Sequence, residues 1–332
     1  MRRVAALLAA ALLASALLGC GGGGAEPGAP KGATLVLDFQ PNAVHSGIYA
    51  AQANGDFEDA GLDLTIQEPS STSDSAKLLE TGRADFAVMD INDFGIARER
   101  GLDLVTIAAI VQRPLASVIA NDPNEIRKPA DLAGKTIGVT GVPSDDAVLD
   151  TVLRAGGVDP SSVHRVTIGF NAVADLAAGK VDAATAFWNA EGVELKQQGI
   201  PTREFRVDQF GAPRYPELVV ATPRTKGKCI IAPQFAAALE RGYELLDRDP
   251  HAALDDLLSS VPGLDKPSQE GQLNALDAAG AFSPRNSKRL IGVEPAATSG
   301  WASWAANHGV IDPGAVDHVV AGFDNPPLCP SR

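Results

Sequence analysis

The 332-residue chain predicts an α/β protein with mostly parallel sheets and helices on both faces. Three observations lead there. Short apolar runs rich in Val, Ile and Ala alternate with longer segments of helical periodicity. The alternation runs once from residue 33 to about 120 and then restarts, giving two series of strands and helices. Hydrophobic residues make up 45% and charged residues 21% of the chain, which suits a globular protein long enough to bury a core.

The first series opens at 33–38 with ATLVLD, an apolar run that reads as a strand. Residues 46–60 read as one helix, with Ile48, Tyr49, Ala51, Gln52 and Phe57 on an apolar stripe and Gly61 as its stop. Residues 62–67 alternate apolar and polar as a half-buried strand does. A Ser/Thr/Asp run caps a helix at 73–81. A strand at 84–89, a helix at 92–100 closed by Gly101, a long buried strand at 104–111 and a strand at 117–120 follow.

The second series places strands at 136–140, 163–168 and 183–187 and helices at 144–155, 173–178 and 191–198, each helix followed by glycine. A strand at 217–222 ends it, and the rest is helical by pattern: 233–248, 250–260, 267–279, 284–291 and 297–307. If the late helices complete the first lobe, lobe I comprises 33–120 plus 224–332 and lobe II 121–223. Two crossings join them, and a ligand lies between, at the carboxyl ends of strands.

The amino terminus is different. Met1-Arg2-Arg3 is basic, 4–18 is an apolar run too short to span a bilayer, and small residues end it. Residues 1–19 therefore read as a secretory signal peptide. The ending Leu17-Leu18-Gly19-Cys20 resembles the bacterial lipoprotein cleavage box, and the resemblance implies that Cys20 becomes the acylated first residue. Acyl chains in combination anchor far better than one alone. Residues 20–32, which include GGGGAEPGAPKG, read as a flexible tether. The expected location is outside the cytoplasm, lipid-anchored to the cell membrane. Cys229 and Cys329 remain, either bridged or as two free buried thiols.

The formal net charge is −13, which argues against a nucleic-acid partner, since phosphate binding needs clustered Lys and Arg. No nucleophile elbow, P-loop, HExxH or CxxC pair occurs, and the expectation is no catalytic residue, no metal and no cofactor.

Five segments carry a family resemblance: LDFQPNAVHSGIYAAQANGDFEDAGLDLTI (37–66), TGRADFAVMD (81–90), DLAGKTIGVTGVPSDDAVLDTVLRAGG (131–157), AAGKVDAATAFWNAEGVEL (177–195) and PELV (216–219). Together they are similar to periplasmic binding proteins for thiamine pyrimidine precursors. LAGKTIG occurs across many solute-binding proteins, whereas PNAVH and FWNAEG are more specific. The resemblance implies a two-lobed type II periplasmic-binding-protein fold, an aminopyrimidine ligand and an ABC importer, permease and ATPase, as partner. The protein is expected to act as a monomer.

Candidate ligand contacts follow from chemistry. Phe39, Tyr49 and Trp188 offer stacking faces in a chain with 5% aromatics; Tyr49 reads equally as core. Asn42 and His45 sit in a loop at a strand end, where Asn42 also reads as a helix cap. Glu191, with Asn189 beside it, follows another strand end, and a carboxylate there can accept from an amine and from a protonated ring nitrogen. Glu191 also suits a helix amino terminus. Asp38 and Asp90 end strands, and Ser144 and Asp145 open a helix whose N–H groups can hold a polar edge; Asp38 reads equally as orienting a backbone turn, and Ser144 as a helix cap.

Two alternatives stand beside this reading. Relatives with the same opening bind riboflavin, as flat as a pyrimidine but longer; a sulfonate fits acidic and aromatic candidates badly. The fungal pyrimidine synthase shares the fold and uses a lysine for pyridoxal phosphate, a donor histidine and a cysteine-rich iron motif. Here no lysine lies between Lys31 and Lys77, and the three cysteines are far apart.

Overall fold

The computed structural model describes residues 31–69, 74–122, 124–225, 227–284 and 289–323, without the side chains of Asp74 and Cys229. The expected signal peptide, Cys20 and Cys329 lie outside these residues, as does the Cys229 thiol. No helix among the described residues is long and apolar enough to cross a membrane.

The first series is β1 (Lys31–Val36), α1 (Ser46–Ala53), α2 (Asp56–Asp59), β2 (Leu62–Gln67), α3 (Asp74–Glu80), β3 (Phe86–Asp90), α4 (Ile91–Glu99) and β4 (Leu104–Val111). β1 starts inside the segment expected as tether, because Lys31 and Gly32 already pair with Leu62 and Asp63 of β2. The single helix expected at 46–60 is two, divided at Gly55, whose φ of 75° a helix cannot contain.

The chain then enters β5 (Ala116–Ala120), β6 (Thr136–Val139), α5 (Pro143–Ala155), β7 (His164–Thr167), α6 (Ala172–Ala177), β8 (Ala183–Phe187), α7 (Glu191–Gln197) and β9 (Arg203–Arg206). It returns through β10 (Leu218–Pro223) to α8 (Lys228–Arg248), α9 (Pro250–Ser260), α10 (Lys266–Ala278), α11 (Pro295–Asn307) and α12 (Val316–Val320). The helix expected at 284–291 is not formed at 289–291, and 285–288 lie outside the described residues. There the carbonyls are engaged elsewhere: Ile291 O accepts from Ala109 N, and Leu290 O and Gly292 O accept from the Gln112 amide.

Two five-stranded sheets result, ordered β2-β1-β3-β10-β4 and β7-β6-β8-β5-β9. Their strand membership corrects the expected boundaries. β5, counted with lobe I, pairs with β8 and β9 of the second sheet. β10, counted with lobe II, pairs with β3 and β4 of the first. The sheets are also mixed rather than mostly parallel, and every antiparallel ladder involves β5 or β10. A strand entered through a crossing starts at the cleft and runs away from it, whereas a strand of a βαβ unit runs toward it.

Central strands are buried on both faces, β3 and β10 almost throughout, as sheets covered by helices require. The crossings are tied by polar contacts. Arg113 Nε donates to Asp208 Oδ2 at 2.9 Å, and Leu115 N donates to the buried Glu217 Oε2 at 2.6 Å. α1 and α8 cross at Gly47 and Gly242, where a Cβ on Gly242 would lie 1.9 Å from Gly47 O. Tyr243 then donates from its hydroxyl to Val44 O at 2.9 Å, which fixes the loop that follows β1 beside the cleft.

Candidate functional site

A cavity of about 190 Å³ opens between the two sheets, lined by residues at the carboxyl ends of β1, β3, β6, β7 and β8, by the starts of β5 and β10, and by the first turns of α4, α5 and α7. That volume is below the roughly 300–1,000 Å³ usual for drug-sized ligands and suits a single ring.

Eight sequence-derived candidates line it: Asp38, Phe39, Asn42, Asp90, Ser144, Asp145, Asn189 and Glu191. Three do not. His45 is fully buried behind Asp38. Its Nδ1 accepts from Asn42 N at 3.1 Å, so Nε2 carries the proton and donates to Asp38 Oδ1 at 2.8 Å. The histidine therefore orients a lining carboxylate and does not itself line the cavity. Tyr49 and Trp188, assigned to stacking, both pack into the first lobe's core. Trp188 lies in the turn between β8 and α7; residues on either side of it, Phe187 and Asn189, line the cavity, while its own ring packs away from it.

Phe170 is an aromatic of the site that the sequence reading missed. It is 67% exposed, Phe39 is 44% exposed, and their ring centroids lie 5.9 Å apart. Two large aromatics left open at facing strand ends form an apolar lip to the cavity. Asp93 and Glu217 were missed as well. Asp93 stands three residues after the strand-end Asp90, a spacing that shares a helix face.

The lining is acidic and holds no Lys, Arg or His. Three of its hydroxyls give their protons to the protein: Ser117 to Ala186 O at 2.8 Å, Ser75 to Leu37 O at 3.3 Å, and Thr140 to Asp145 Oδ2 at 2.5 Å. Asn42 is spent on its turn, accepting from Val44 N and donating to Gln40 O. Asp145 also accepts from Thr140 N at 2.5 Å and Gly141 N at 3.2 Å, which pins the loop after β6. Asn189 Oδ1 is buried with no protein partner. What the cavity offers a guest is mainly hydrogen-bond acceptors.

Burial pushes several of these carboxyls up. Asp90 is raised by desolvation, partly opposed by its hydrogen bonds from Glu217 and Asn92. Glu217 rises well above the usual range through burial and then through the charge of Asp90, so the two share a proton. Burial raises Glu191, against the N–H of Phe187 that donates to its Oε2 at 3.0 Å. Asp93 is pushed up to about 7, first by burial and then by the charges of Asp90 and Asp38.

A carboxyl raised in the folded state holds its proton more tightly there than in the unfolded chain. Its stabilising effect is full below the unfolded value and is lost as pH rises through the folded one. For Asp93 the window runs from 3.8 to about 7, a loss on the order of 4 kcal/mol at most. The ligand-free protein is expected to melt several degrees lower at pH 8 than at pH 5.5, and Asp93→Asn to flatten that difference. Equal slopes for the two proteins in a pH series of melting curves would show that Asp93 titrates normally.

A family described as NMT1/THI5 like matches residues 42–253. The formylaminopyrimidine-binding protein of Halalkalibacterium halodurans is 34% identical over 231 residues, covering 68% of this chain and 69% of that protein. A 4-amino-5-hydroxymethyl-2-methylpyrimidine phosphate synthase of Legionella pneumophila is 27% identical over 245 residues, 70% of this chain and 75% of the other. Among solved structures, a Candida albicans protein with the generic periplasmic binding protein fold superposes with a TM-score of 0.65 at 15% identity, covering 89% of this chain and 95% of that one.

Proposed function

This chain belongs to the NMT1/THI5-like family, and we propose that it is the extracytoplasmic solute-binding component of an ABC importer, capturing a thiamine pyrimidine precursor between its two lobes. The observation that carries the reading is the single-ring cavity lined by carboxylates and an orphan amide oxygen, with no cation. An aminopyrimidine presents an amine and a basic ring nitrogen, both able to meet acceptors, and two flat faces for Phe39 and Phe170. A relative named for binding formylaminopyrimidine agrees. The signal-like leader and Cys20 support export and lipid anchoring.

The cavity supports neither alternative ligand. Three fused rings with a ribityl chain need a longer cleft than a cavity of about 190 Å³ favours, and a sulfonate would meet carboxylates unrelieved by any lining cation. The enzyme reading rests on relatives named as synthases. Against it, no lysine lines the cavity to form an imine, and both ring nitrogens of His45 are engaged.

Calorimetric titration of residues 31–332 with formylaminopyrimidine, its deformylated amine and riboflavin tests the proposal. Saturable binding of a pyrimidine, recovered at unchanged mass, is the expected result. Binding of riboflavin alone would overturn the ligand, and a changed mass would overturn the transport role.

A further inference from the structure

We propose that Asp93 is the carboxylate that recognises the amino-substituted edge of the ligand, and that the cavity holds its ligand as a cation. The inference rests on the aminopyrimidine reading above and names the group that selects within it.

Among the cavity's carboxyls, Asp93 is the one with both oxygens uncommitted to protein groups among the described residues. Asp38 accepts from His45, Asp145 holds three donors of its own loop, and Glu191 accepts from Phe187 N. Asp90 accepts from Asn92 N at 2.6 Å, and Glu217 from Leu115 N. Asp93 lines the same cavity from the first turn of α4 with no such donor. An orphan carboxylate largely out of water is costly unless something pairs with it.

A second acceptor comes from the other lobe. Asn189 is 2% exposed, lines the cavity and leaves Oδ1 without a protein partner. A guest therefore needs donors on two edges. A pyrimidinium supplies them through its ring N–H with the amine beside it, and through a further N–H substituent. Any other charge facing Asp93 makes a cation more welcome: Asp38 after β1, Asp90 at the end of β3, Glu217 before β10, Asp145 on α5 and Glu191 on α7 are all acids. Arg100, at the far end of α4, is the cation whose charge reaches it.

The proton balance is simple. At pH 8 a neutral aminopyrimidine enters, one N–H bond forms on the ring nitrogen with a proton taken from solvent, and the carboxylate stays ionised. Well below pH 7 the proton that Asp93 itself holds can serve, and no net exchange with solvent is needed.

The test is calorimetry at pH 8 in two buffers of different ionisation enthalpy, using the 4-aminopyrimidine and its 4-oxo isostere, which lacks the basic amidine edge. The wild-type chain is expected to prefer the amine at least about thirtyfold, as one charge-assisted hydrogen bond allows, and to take up close to one proton. Asp93→Asn should shrink the preference to about threefold or less and abolish the uptake, with its melting temperature as the control for folding. Asp93→Ser repeats the measurement if the amide variant does not fold. A wild type that binds the amine without proton uptake, or a variant that keeps preference and uptake, would overturn Asp93 as the selector and leave the pyrimidine reading standing. A wild type that binds neither compound would remove both.

Discussion

Glu191→Gln is expected to raise the dissociation constant for an aminopyrimidine by roughly 10- to 100-fold, the worth of one hydrogen bond to a charged group. Its melting temperature should stay level or rise. Glu191 opens α7, and its Oε2 takes the N–H of Phe187 at 3.0 Å, which leaves Oε1 for a ligand. A glutamine keeps one oxygen, and Phe187 N claims it. The remaining NH₂ then faces the ligand's further N–H substituent on the Asn189 side, donor against donor. Stability should not suffer, because burial already disfavours the ionised carboxyl and the neutral amide removes that cost. Titration calorimetry beside a thermal melt reads both quantities. Unchanged affinity would take Glu191 out of the site, and a collapsed melting temperature would make it a structural residue.

Much of this site was legible in the sequence because ligands gather at the carboxyl ends of strands in α/β folds. Asp38, Phe39, Asp90, Asn189 and Glu191 each follow an apolar run, and each lines the cavity. Ranking aromatics by type failed for Tyr49 and Trp188. Stacking faces and core faces have the same composition, and only the path of the turn between β8 and α7 separates Trp188 from its neighbours. Phe170 lies after β7, an exposed edge strand, and such a strand announces itself weakly. The same holds for β9, whose sequence Arg-Glu-Phe-Arg carries charge at an edge as edges commonly do.

The fold class was legible for a different reason. β3, β4 and β10 are apolar through their length because helices cover both faces of the sheet. Sheet membership was not. β5 and β10 look like any other buried strand, and the pairing that assigns them spans residues far apart in sequence: Ser117 with Ala186, and Leu218 with Asp90. Nothing local in an apolar run says which sheet will receive it.

Trp188 gives the complementary result. Trp188→Ala is expected to cost about 3–5 kcal/mol of unfolding free energy, as large-to-small changes of buried aromatics do, and to change the affinity of the folded protein by no more than about threefold. The indole is 1% exposed and packs with first-lobe core residues although the chain reaches it from β8 of the second sheet. Its Nε1 donates to Pro114 O at 3.0 Å, its backbone N donates to Leu115 O at 3.1 Å, and the Arg206 guanidinium lies 4.0 Å from the ring. Pro114 and Leu115 form the first crossing, so the side chain fastens one lobe to the chain leaving the other. Trp188→Phe keeps most of the volume and loses the indole hydrogen bond, worth about 1 kcal/mol. Urea denaturation should order the three proteins accordingly, while calorimetry at a temperature where all are folded finds similar affinities. If Trp188→Phe abolished ligand binding with its denaturation curve unchanged, the indole would have to touch the ligand in the closed state, and the stacking surface would extend past Phe39 and Phe170.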